Sequence, residues 1–164
     1  MQLENKKIIL TGGTKGIGAA TVKAYVKEGA NVVFCGTNDE RGKAVEASVN
    51  EIGPGKATYF RCNIASKEDV DAFFAKAEEV LGGLANIAGV EGNCAAEAWD
   101  DDKIDWLMDI NVKGTIWTNQ AAYKLFEKYG TVDGSIINYS SDTALSGMPN
   151  GAVYAASKAA VLGW

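Results

Sequence analysis

Tyr154 and Lys158 stand four residues apart in the segment YAASK, and Ser141 precedes the tyrosine by 13 residues. At i and i+4 of a helix, phenol and ammonium share one face. An ammonium beside a phenol favours the phenolate, which suits Tyr154 to give and take a proton. Lys158 could also donate to a ribose hydroxyl. Ser141 could hydrogen-bond a carbonyl or alcohol oxygen as charge develops on it. Alone, the pair is weak evidence. With six Tyr and 14 Lys in 164 residues, chance supplies a Tyr-xxx-Lys about half the time. The competing reading is a surface Tyr and Lys on an Ala-rich helix. The chain has no His, so a His-based triad is excluded. Any base working near neutral pH is then a Tyr, Lys, Cys or carboxylate.

At the other end of the chain, TGGTKGIG spans Thr11–Gly18, after a short apolar run and before a helical stretch. Gly12 permits a tight turn, Gly16 lets backbone approach a pyrophosphate, and Gly18 lets the helix pack close to a sheet. The helix N-terminus offers free N–H groups to phosphate. The spacing is Gly-xxx-Gly-x-Gly, and no Gly-Lys-Ser/Thr follows, which excludes a P-loop. A site for NAD usually ends its second strand on an acidic residue. Here that region reads Cys35-Gly36-Thr37-Asn38, with no carboxylate before Asp39. Lys15, inside the turn, could meet a 2′-phosphate; the alternative is a solvated surface lysine. Both points favour NADP(H) over NAD(H).

These residues need a frame that brings the two ends together. Apolar runs at Ile8–Leu10, Asn31–Cys35, Ala57–Cys62, Leu84–Ile87 and Ser135–Tyr139 read as strands. Between and after them, Ile17–Lys27, Asp39–Ile52, a stretch capped by Ser66 and running to about Leu81, Asp102–Tyr129 and Ala152–Trp164 read as helices. Strands alternating with helices argue for βαβ units, right-handed crossovers and a doubly wound parallel sheet. Strand runs without polar alternation fit a sheet covered on both faces. Ile104, Leu107 and Met108 lead at helical spacing to Asn111, whose buried amide would need hydrogen-bond partners. Its function would be to hold a water that relays protons to Lys158; the alternative is a structural Asn.

Composition bounds the rest. At 164 residues the chain is a single domain, residues 1–164. A net charge of −5 leaves no electrostatic footprint for nucleic acid. No apolar run approaches a membrane span. Cys35, Cys62 and Cys94 are odd in number and lack metal-ligand spacing, which fits a reduced, cytoplasmic setting without a metal site.

With glycine turn, Asn, Ser and Tyr–Lys in this order, the chain resembles the short-chain dehydrogenase/reductase family. TGGTKGIG is similar to its cofactor turn, NIAG at Asn86–Gly89 to its Asn-Asn-Ala-Gly strand end, and NVKG at Asn111–Gly114 to its Asn-bearing helix. GSIINYSS followed by YAASK is similar to its Ser, Tyr and Lys. The resemblance covers the whole chain. It implies a Rossmann-type three-layer fold and hydride transfer between NADP(H) and a secondary alcohol or ketone. It assigns Tyr154 as acid/base, Lys158 as its tuning group and ribose ligand, Ser141 as the group orienting the substrate oxygen, and Asn111 as anchor of the proton relay. It implies a cofactor site of Gly12, Thr14, Lys15, Gly16, Ile17, Gly18, Thr37, Asn38, Asn63, Ile64, Asn86, Ala88 and Gly89, with Tyr154 and Lys158. A homodimer or homotetramer is expected, through the long helix and Ala155, Ala156, Ala159 and Ala160.

Three departures qualify the likeness. Asn63 stands where the family usually has Asp against the adenine. Ile87 replaces the second Asn of its motif, and the segment before it is short, so the fourth strand is expected to be short at its start. The chain also stops at Trp164, where the family continues through further strands and a substrate-covering loop. The expectation is a truncated or incompletely represented version of a longer enzyme, with Ser135–Tyr139 left as a sheet edge. A nucleotide-binding or interaction module without turnover is the alternative. A methyltransferase would leave the Tyr–Lys pair unexplained.

Overall fold

The structure, a computed structural model, describes residues 1–77 and 82–164. Five strands form one parallel sheet in the order β3-β2-β1-β4-β5. They are β1 (Lys7–Thr11), β2 (Asn31–Gly36), β3 (Lys56–Arg61), β4 (Gly83–Asn86) and β5 (Ser135–Asn138). The helices are α1 (Gly16–Lys27), α2 (Asp39–Asn50), α3 (Lys67–Lys76), α4 (Asp101–Met108), α5 (Thr115–Tyr129), α6 (Thr143–Ser146) and α7 (Ala152–Leu162). The expected extension of the third helix to Leu81 lies outside the described residues.

Strand side chains alternate between two cores, as the period of two demands. Ile8, Leu10, Val32, Phe34, Ala57 and Tyr59 pack with Val22 and Val26 of α1 and Val49 of α2. Ile9, Val33, Cys35 and Leu84 point the other way, onto Val70 and Phe73 of α3 and Ala122 of α5. Each fully buried Leu, Ile, Val or Phe among them stabilises the fold by about 1.5–3 kcal/mol. Because both faces are covered, β1 and β2 read as unbroken apolar runs. β4 is only four residues long, as expected from the short segment before it.

Polar side chains tie the carboxyl end of the sheet together. Asn86 Nδ2 donates to Asn119 Oδ1 (2.7 Å) and Asn138 Oδ1 (3.0 Å), while Asn86 Oδ1 accepts from Thr118 (2.9 Å) and Thr11 (3.3 Å). This network links β1, β4, β5 and α5 directly below the cleft.

One expected helix is not continuous. Asp102–Tyr129 divides into α4, a π-helical segment at Asp109–Gly114, and α5. Its apolar spacing reads as an ordinary helix because the wider turn inserts without a proline, its one glycine, Gly114, standing at the segment's end. Thr115 Oγ1 donates to Asn111 O (2.9 Å), a carbonyl of the altered ladder, and Thr118 Oγ1 also lies 2.9 Å from Gly114 O. Such π segments occur frequently at functional sites, and Asn111 lies in this one.

Candidate active site

The β1–α1 turn forms one end of the site. Gly12 adopts φ +75°, and a Cβ there would stand 2.6 Å from the Ala88 backbone. A Cβ on Gly18 would meet Gly12 O at 2.0 Å, so α1 could not sit this close to the strand with any side chain there. Above Gly16 the space is open, with no atom within 4 Å. Helices α2, α3 and α4 are each capped by a side chain, from Asn38, Ser66 and Asp100, and carry acidic residues in their first turns. Helix α1 begins after Lys15 with no side-chain cap and no acidic residue in its first turn. Its free N–H groups and partial positive charge therefore face an anion-sized opening. The residues present thus fit the diphosphate of a dinucleotide.

At the other end, Lys158 is 6% exposed. Its Nζ donates to Tyr139 O (3.0 Å) at the end of β5 and lies 6.0 Å from the Tyr154 ring centroid. Burial pushes the Lys158 ammonium below its ordinary pKa. Ser140 Oγ donates to Lys158 O (2.7 Å), tying α7 to the strand end. Gly89 keeps the centre open: a Cβ there would lie 3.2 Å from Lys158 Nζ and 3.3 Å from Asn111 Oδ1.

Asn111 is fully engaged. Its Oδ1 accepts from Val90 N–H (2.8 Å), and its Nδ2 donates to Val90 O (2.8 Å) and Ser157 Oγ (3.0 Å). The amide thus mimics a strand partner for Val90 and pins α7 through Ser157, which in turn donates to Tyr154 O (2.7 Å). The side chain makes no hydrogen bond to Lys158.

A single cleft of about 500 Å³ runs between the two ends. Gly12, Thr14, Lys15, Gly16, Ile17, Gly18, Thr37, Asn63, Ile64, Ala88, Gly89, Tyr154 and Lys158 all line it. A smaller groove of about 270 Å³, between α3 and α5, holds none of the expected site residues. Four expected residues are placed elsewhere. Asn38 caps α2, its Oδ1 accepting from Arg41 N–H at 2.8 Å. Asn86 is buried in the polar network of the sheet, and Asn111 stands behind the cleft wall. Ser141 is turned into a local loop, where its Oγ accepts from Thr143 Oγ1 (2.9 Å) and donates to Asp142 Oδ1 (3.1 Å). Its neighbour Ser140 lines the cleft instead.

Sequence reading missed Ser140, Ser157 and the Tyr139 carbonyl. Ser157 had a signal: a small polar residue between Tyr154 and Lys158, on a helix whose other neighbours are Ala. The Tyr139 carbonyl had none, since backbone acceptors carry no sequence mark.

A doubly wound parallel sheet, with a glycine turn opening onto an uncapped helix and a Tyr–Lys helix across the cleft, defines a Rossmann-type dinucleotide-binding protein. Residues 6–164 match the family model described as short chain dehydrogenase, and the chain belongs to that family. It is 38% identical over 168 residues to a 3beta-hydroxysteroid dehydrogenase of Mediterraneibacter gnavus, covering 99% of this chain and 59% of that protein. It is 39% identical over 165 residues to a 2,5-dichloro-2,5-cyclohexadiene-1,4-diol dehydrogenase of Sphingobium indicum, covering 98% and 64%. A solved short chain dehydrogenase/reductase family protein superimposes with a TM-score of 0.89 at 33% identity, over 98% of this chain and 66% of that one. The chain therefore spans about three fifths to two thirds of these relatives.

Proposed function

We propose that the protein is an oxidoreductase acting on NADP(H) and a secondary alcohol or ketone, with Tyr154 as acid/base. The observation that carries this reading is one cleft lined by both the glycine turn and the Tyr154–Lys158 pair. Lys15 in the cleft lining, and the absence of a carboxylate from Gly36, Thr37 and Asn38 at the end of β2, support NADP(H) over NAD(H). Bound in the cleft, the coenzyme supplies or accepts the hydride.

The chain's own residues do the rest. The N-terminus of α1 holds the diphosphate, with Gly16 allowing close approach. In the reducing direction Tyr154 passes its phenolic proton to the carbonyl oxygen of the substrate as negative charge gathers there. Lys158 stabilises the resulting phenolate and donates to ribose. Its tether to Tyr139 O and the Asn111–Ser157 clamp fix where that charge sits. Ser141, released from its local turn, or Ser140 on the cleft wall, orients the substrate oxygen. We assign Asn111 as a positioning residue and infer that its π turn anchors the proton relay.

The relatives named above act on ring alcohols by their printed names, and a cyclic or steroid-like secondary alcohol is the class to test first. Exposed Ala156, Ala159 and Ala160 on α7, with exposed Tyr123 on α5, suit close packing against a second copy, which light scattering would detect. Three free thiols fit a cytoplasmic setting.

The experiment is NADPH oxidation against a panel of ketones, with Tyr154→Phe as the comparison. The phenylalanine variant should lose about 10²–10⁴-fold in turnover while its NADPH Kd stays within about twofold. Binding without turnover, unchanged in the variant, would favour a nucleotide-binding module instead.

A further inference from the structure

The first carboxylate after β2, Asp39, belongs to a network that faces away from the cleft. Tyr59 Oη donates to Asp39 Oδ1 (3.0 Å) and also lies 3.0 Å from Gly36 O. Arg61 Nη1 stands 3.6 Å from Asp39 Oδ2 and donates to Thr37 O (2.7 Å). Both carboxylate oxygens are thus engaged by β3. Thr37 and Gly36 line the cleft, and Asp39, two residues on, does not.

We infer that Tyr59 and Arg61 are specificity-determining residues: they hold the Asp39 carboxylate out of the cleft, so that the rim accepts a coenzyme with a 2′-phosphate. This rests on the nicotinamide-coenzyme reading above. A carboxylate at the end of the second strand takes the ribose hydroxyls of NAD(H) and repels a phosphate there. Asp39, the first residue of α2, has 54% of its side chain accessible, so little packing opposes its movement and the two β3 tethers set its direction.

The two tethers are unequal. The Arg61–Asp39 pair is long and open to solvent on both sides, where ion pairs contribute little. Tyr59 is 8% exposed and held rigidly, because its ring fills the space beside Gly42 of α2, where a Cβ would come within 2.3 Å of it. Its phenol is pushed up to about 12, by burial first and then by the bond to Asp39, so it remains a donor across the physiological range. Arg61, bonded to the Thr37 carbonyl, fixes the loop that presents Thr37 to the coenzyme.

Calorimetric titration with 2′,5′-ADP and 5′-ADP tests this without turnover. The wild-type chain should prefer 2′,5′-ADP. Tyr59→Phe with Arg61→Gln should reduce that preference about tenfold, and adding Asp39→Asn should restore it to within about twofold. Asp39→Asn alone should leave it within about threefold. Tyr59→Phe keeps the ring, and Arg61→Gln lies on the surface, so each single variant is measurable. Tyr59→Phe should carry most of the shift. An unchanged preference in Tyr59→Phe and the double variant overturns the inference. So does a loss that Asp39→Asn fails to restore, since Arg61 would then be binding the phosphate directly. Failure of the wild-type chain to bind either nucleotide would instead overturn the coenzyme reading itself, and this inference with it.

Discussion

The two edges of the sheet are finished differently. On β3, the outward backbone groups are taken by α2: Asn50 both donates to Ala57 O (2.9 Å) and accepts from Ala57 N–H (2.7 Å), and Glu46 Oε1 accepts from Tyr59 N–H (3.2 Å). On β5, no strand flanks the outer side among the described residues, and Ile137 is 48% exposed. The cleft divides along the same line. Its glycine-turn half rests on β1–β3, where strand, turn and helix are locked by contacts too close for any side chain. Its Tyr–Lys half rests on β4, β5 and α7, held by a few hydrogen bonds that run from the π turn to the Tyr–Lys helix and from that helix to the end of β5. On the proposed function, coenzyme binding would draw on dense packing, and proton transfer on a sparse polar clamp.

Four substitutions break or sharpen that contrast. The largest stability effect falls on the clamp. Asn111→Ala leaves two Val90 backbone groups and Ser157 without their partner, and should cost about 3 kcal/mol, a Tm loss of about 10 °C by calorimetry. Gly18→Ala attacks the packed half. Its Cβ would sit 2.0 Å from Gly12 O, and relief of that overlap should weaken NADPH binding about tenfold or more in a fluorescence titration. Asn50→Ala should cost about 1 kcal/mol in chemical denaturation, freeing both Ala57 backbone groups while Glu46 still holds Tyr59 N–H. Ile137→Lys should lower concentration-dependent self-association in light scattering, because charge on an open edge discourages pairing.

The smallest effect is a pH dependence. Burial lowers the Lys158 pKa from 10.5. Below the lowered value, folded and unfolded chains both carry the proton, and the burial penalty is complete. Between that value and 10.5 the folded chain has released the proton and the unfolded chain has not, so stability rises with pH. The melting temperature of the wild type relative to Lys158→Met should therefore rise as pH climbs from the lowered value towards 10.5, as calorimetry across that range would show.

Much of this was legible in the sequence, for physical reasons. Strands covered on both faces appear as apolar runs, and the glycine turn betrays itself because no side chain fits at Gly12 or Gly18. The break at Asp109–Gly114 was not legible, since the same apolar spacing serves α and π geometry over two turns. Nor was it legible that Ser140 faces the cleft while Ser141 bonds within its local loop, since adjacent residues part according to which way the strand end turns. Asn86 looked like a coenzyme ligand from its motif. The fold places it among Thr11, Thr118, Asn119 and Asn138, partners drawn from three elements, β1, α5 and β5, that no local pattern joins. Asn38, just before an acidic first turn, could have been read as the cap it is.

The most direct measurement is a fluorescence titration of the chain with NADPH, run beside Gly18→Ala and Tyr154→Phe. Saturable binding that Gly18→Ala weakens at least tenfold, and Tyr154→Phe leaves within about twofold, is the result expected if the packed half holds the diphosphate and the Tyr154 phenol serves proton transfer rather than binding. Absent binding, or binding indifferent to Gly18→Ala, would contradict it.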